Sequence, residues 1–134
     1  MKFQSFIFCD DVRQEINGKV TLIGVYDLTI IFPKGTKFPA ALPLSFFCRV
    51  QLDTGDKHFD SMKLEFFLNG KLFLDAEGPI QVNDFEKPIT ISQRFSILPI
   101  PESGVVRCNL IFKAAGVEVG RLSPEYSPQV QVAG

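Results

Sequence analysis

A chain of 134 residues with a formal net charge of -1 suits one domain and offers no electrostatic footprint for a phosphate backbone. Hydrophobic residues at 46% and charged residues at 22% are those of an ordinary globular protein, which at this length folds without a metal or disulfide staple. Lysine and arginine are scattered singly, with no basic run and no basic–aromatic interleaving, so nucleic acid is not an expected partner.

The opening run Phe3–Cys9 is apolar on both sides, which predicts a central or doubly covered strand. Gln4 and Ser5 interrupt it and Asp10-Asp11 end it, so it lacks the apolar region of a signal peptide. Asp10 to Glu15 reads as a single helical turn or a loop, its acidic start suiting a helix N-terminus. Asn17-Gly18 is a turn, followed by a second two-sided strand at Val20–Tyr26, which Leu28–Phe32 continues after a bend. Phe32–Pro43, with Pro33, Gly35 and Pro39, predicts a long crossover between sheets.

Strict alternation takes over from there. Leu44, Phe46, Cys48, Val50 and Leu52 share one face, as do Met62, Leu64, Phe66 and Leu68, and later Val106, Cys108, Leu110 and Phe112. Leu64, Phe66, Leu110 and Phe112 are expected to meet in one dry interior. Asn69-Gly70 forms a hairpin with Leu72–Leu74, and Ala115-Gly116 another. Ile89–Ile97 is a strand interrupted by Gln93, Leu98–Gly104 is a second crossover, and Glu118–Leu122 and Gln129–Val132 are short strands. About eight strands and almost no helix predict an all-β domain over 1–134, a two-sheet antiparallel β-sandwich in preference to a barrel.

Two stretches carry resemblances. Gly104–Phe112 followed by Ala115–Leu122 resembles the last hairpin of immunoglobulin-like modules, although the Cys…Trp…Cys hallmark is absent because there is no Trp. Cys9-Asp10-Asp11-Val12-Arg13 with Asn17-Gly18-Lys19-Val20-Thr21-Leu22-Ile23-Gly24-Val25-Tyr26 resembles a family of small uncharacterised bacterial proteins. That resemblance covers about the first quarter of the chain; it implies a bacterial or phage-associated origin and brings no functional residue.

Groups able to do chemistry are few. Cys9, Cys48 and Cys108 are widely spaced inside apolar runs, which predicts buried thiols, no zinc site and a reducing, cytoplasmic home. No apolar run reaches the roughly 18 residues that a membrane helix needs, so the chain reads as soluble with no membrane partner. Asp10, Asp11 and Glu15 are a candidate oxygen set for a hard cation, set against a solvated connection protecting strand ends. His58, the single histidine, falls in a polar turn, and Asp84 and Glu86 read as a solvated loop around Phe85. There is no Gly-x-Ser-x-Gly elbow and no glycine-rich phosphate loop.

Aromatic surplus is the remaining signal: 14 Phe against 2 Tyr. Phe47 and Phe67 alternate out of phase with their strands' core faces, and Phe6 and Phe8 oppose Phe3 and Ile7. Left uncovered, Phe47, Phe67, Phe6 and Phe8 would form an interaction surface for a protein partner or a second copy. The expected function is therefore a non-catalytic binding module without cofactor. The alternatives are a carrier of small apolar ligands, and a metal-dependent enzyme using the Asp10–Glu15 loop.

Overall fold

The computed structural model describes residues 1–134 as ten strands and one short 3₁₀ turn. The strands are β1 (Lys2–Gln14), β2 (Val20–Val25), β3 (Thr29–Phe32), β4 (Ala40–Gln51), β5 (Ser61–Leu68), β6 (Lys71–Pro79), β7 (Ile89–Ile100), β8 (Gly104–Ala114), β9 (Val117–Leu122) and β10 (Gln129–Val132). They form two packed sheets. The first has the order β2-β1-β4-β7 and the second β3-β10-β8-β5-β6, with β9 on β8 beyond the end of β10. Every pairing is antiparallel except β3 with β10. The expected sandwich is present, with ten strands in place of about eight. No helix is long and apolar enough to cross a membrane.

Alternation builds the interior. Leu44, Phe46, Cys48 and Val50 of β4 point inward and are buried, as are Leu64, Phe66 and Leu68 of β5 and Val106, Cys108, Leu110 and Phe112 of β8. Aromatic rings add to the packing: Phe66 of the second sheet meets Phe95 of the first edge-on at 5.5 Å, and Phe59, in the β4–β5 connection, tilts against Phe112 at 4.5 Å. Burying each such side chain contributes roughly 1.5–3 kcal/mol. No buried side-chain nitrogen or oxygen is left without a hydrogen-bond partner.

Turn chemistry falls where the sequence put it. Asn17-Gly18 and Asn69-Gly70 both adopt positive φ, the first within the 3₁₀ turn of the longer β1–β2 connection and the second as the two-residue hairpin between β5 and β6. The Asn69 side chain does more. Its amide donates to the Ser103 carbonyl at 3.0 Å and its oxygen accepts from the Val105 N–H at 3.2 Å, tying this hairpin to the β7–β8 crossover.

Three expectations need correction. Asp10–Gln14 is not a turn or loop but the second half of β1, because Tyr26, Arg94 and Arg13 supply partners that let two carboxylates sit in a strand. Leu28–Phe32 does not extend the preceding strand: β3 crosses to the second sheet and pairs with β10. Val20–Tyr26 is no central strand, since β2 is bonded to β1 alone and its apolar outer side chains face solvent. The Phe32–Pro43 connection does pass between sheets, although β4 already begins at Ala40.

The β8–β9 hairpin turns through exposed Ala115 at φ 51 followed by Gly116 at φ 80. Alanine is disfavoured in this left-handed region, where asparagine is several-fold enriched. Ala115→Asn is expected to stabilise the protein by about 0.5–1 kcal/mol in urea denaturation. A loss of stability would contradict this geometry.

Candidate interaction surfaces

The four phenylalanines do not form one surface. A register shift between Phe3 and Ser5 in the β1–β4 ladder turns Phe3, Phe6 and Phe8 all inward, opposite Val50, Cys48 and Phe46. Phe8 is only 1% exposed, and Phe6 stacks on Phe46 at 5.3 Å. Phe47 and Phe67 do face outward, both half-buried, but from opposite sides of the sandwich. Phe67 lies beside Leu72 and Arg107 on the second sheet. The rest of that face is laced with ion pairs such as Lys113–Glu77 and Arg121–Glu118, both at 2.8 Å. Phe47 pairs across the strands with Ile7 on the first sheet, near Val25, which is 58% exposed.

The acidic cluster is likewise pulled apart. Successive strand residues point to opposite faces, so Asp10 and Asp11 diverge. Asp10 accepts a hydrogen bond from the Tyr26 hydroxyl and lies against Gly24, whose φ of 64 and missing side chain leave room for the carboxylate. Asp11 on the other face holds Arg94 at 2.8 Å and Arg13 at 3.3 Å, while Glu15 accepts from Thr21 at 3.0 Å. Burial pushes the Asp11 carboxyl up, but the hydrogen bond from Arg13 and the charges of Arg94 and Arg13 outweigh it and hold it below the usual range. The three carboxylates therefore do not converge on a cation.

His58 is exposed and its ring stacks on Phe85 at 4.0 Å. Asp84 accepts from the Glu86 N–H at 2.9 Å, a local turn contact within that loop. All three cysteines are free and buried. Burial pushes the Cys48 thiol up to about 12 and that of Cys108 higher, so both stay protonated at neutral pH.

One feature had no visible signal in the sequence. β1 pairs with β4 along Lys2–Cys9 but with β2 only along Cys9–Gln14, so Lys2–Ile7 has a strand on one side alone. The Phe8 carbonyl accepts from the Tyr26 N–H at 2.9 Å. By the two-residue repeat, the backbone N–H and C=O of Phe6 turn the same way, where no strand follows. That open edge borders a groove of about 470 Å³ between Met1–Phe6 and Leu122–Tyr126. Half-buried Phe3, Phe6, Leu122 and Tyr126 supply its apolar surface, and exposed Lys2, Gln4, Ser123 and Glu125 its polar part.

A family model matches residues 4–122, from Gln4 in β1 to the end of β9. The chain belongs to DUF6941, a family of unknown function. No curated protein matches it. In this DUF6941 chain the match takes in the open half of β1 from Gln4 onward and stops at Leu122, where the opposite wall of the groove begins.

Both tyrosines of the DUF6941 domain are shielded. Burial, the hydrogen bond to Asp10 and the Asp10 charge push the Tyr26 phenol well above 10. Burial and Asp27 raise Tyr126, whose hydroxyl donates to the Tyr26 carbonyl at 3.0 Å. The fold thus favours the protonated phenols. The stability this supplies is fully present below pH 10 and is lost as pH rises through the raised folded values. With no Trp to interfere, ultraviolet absorbance is expected to show less tyrosinate at pH 10 than free tyrosine gives, the remainder emerging with alkaline unfolding. Half-ionised tyrosine in the folded protein at pH 10 would contradict the buried contacts.

Proposed function

We propose that this chain is a non-catalytic interaction module that takes an extended segment of another protein as an added strand along the open half of β1. The observation that carries this is the strand-length mismatch: Lys2–Ile7 offers unpaired backbone beside an apolar groove rimmed by polar side chains. Unpaired edges are templates for strand addition, in which backbone hydrogen bonds give affinity and pockets for alternate side chains give specificity. The open stretch spans roughly 20 Å of extended chain at ~3.3 Å per residue. Lys2 and Glu125 place opposite charges at the groove, a mixed rim suited to a peptide and not to a polyanion. An immunoglobulin-like kinship, a bacterial origin and a cytoplasmic location belong to the same proposal, the last supported by three unpaired, buried thiols.

Selection from a displayed library of short extended peptides tests the reading. Bound peptide is expected to shift the amide resonances of Lys2–Ile7 and Ser123–Tyr126. N-methylating the peptide amides that face β1 should weaken binding by about tenfold or more, and methylating the alternate amides should not. Failure to select any binder, shifts confined to other strands, or equal loss from both sets of methyl groups would overturn it.

A further inference from the structure

We propose that two copies of this chain associate through β2, antiparallel about a two-fold axis at Ile23, joining their first sheets into one continuous sheet. The proposal shares with the binding reading the idea of an interaction module, but uses a different edge.

β2 is the outer strand of its sheet and carries a free backbone edge along Val20–Val25. Edge strands are ordinarily defended by charge, proline or inward polar groups. The other long edges follow this rule, β7 with Arg94 and Pro99 and β6 with Lys71, Asp75 and Glu77. β2 reads Val-Thr-Leu-Ile-Gly-Val, with neither charge nor proline. Ile23 and Val25 are 38% and 58% exposed on its outer face. Its ladder with β1 keeps one register from Val20 to Val25, although Gly24 itself takes a left-handed φ of 64.

The flanking charges fix the occupant. Lys19 precedes β2 and Asp27 follows it, both exposed and without an ion-pair partner in the protomer. An antiparallel two-fold centred on Ile23 sets Ile23 opposite its own copy and Thr21 opposite Val25. The same register brings Lys19 opposite Asp27 of the other copy, and symmetry repeats each contact. A strand with any other charge pattern would leave those two groups unmatched. A second copy supplies both complements in this register.

Sedimentation equilibrium reads the result directly. The wild-type mass is expected to rise with concentration toward twice 15.0 kDa. Ile23→Lys and Ile23→Glu should each remain monomeric, because like charges then meet on the axis, and an equimolar mixture of the two should dimerise again. Independently, Asp27→Lys should weaken association about tenfold or more, and adding Lys19→Asp should restore it. These are exposed positions, so circular dichroism should show an unchanged fold. A wild-type monomer at about 1 mM, an Ile23→Lys variant that dimerises like the parent, or charge exchange without restoration would overturn the proposal. Peptide binding measured on monomeric Ile23→Lys is expected to be unaltered, so either reading can fail without the other.

Discussion

The interior between the two sheets is held by side chains that a strand can send to only one face. Leu44, Phe46, Cys48 and Val50 from β4 meet the inward sets of β5 and β8, and the contact is apolar and continuous. A shift of one residue in any of these strands would exchange its apolar set for its polar one, so register and burial enforce each other. Phe47 and Phe67 point outward for the same reason that Phe46 and Phe66 point inward.

A sandwich satisfies its faces but leaves edges. Here the edges are unequal, because β1 runs for 13 residues beside a β2 of 6. The excess length of β1 leaves Lys2–Ile7 open beside the Leu122–Tyr126 segment, while β2, uncharged and paired with β1 alone, leaves its outer edge free. The open half of β1 follows from that mismatch in length, and the free edge of β2 from its place at the end of the sheet. In the interior the Cys48 and Cys108 thiols are held protonated, and the Asp10 carboxylate accepts the Tyr26 hydroxyl.

Much of this was legible in the order of residues. Alternation in Leu44–Leu52, Met62–Leu68 and Val106–Phe112 located the central strands, and Asn17-Gly18 and Asn69-Gly70 located two turns, because both signals are local. What escaped depends on distant partners. Asp10 and Asp11 look like the end of a strand until Tyr26 and Arg94 arrive to pair with them. Phe6 and Phe8 read as opposed to Phe3 until the shift at Phe3/Ser5 brings all three to one face. A strand apolar on both sides reads as central, yet the same pattern describes an uncovered edge such as β2. The groove had no local signature at all, since it arises from where one strand ends beside another.

Neighbouring phenylalanines on β4 test the governing claim most directly, through urea denaturation of Phe46→Ala and Phe47→Ala. Opposed faces predict a loss of about 3–5 kcal/mol for the fully buried Phe46 and less than half of that for the half-buried Phe47. Equal losses, or a larger loss at Phe47, would contradict the two-faced strand on which the interior and both open edges rest.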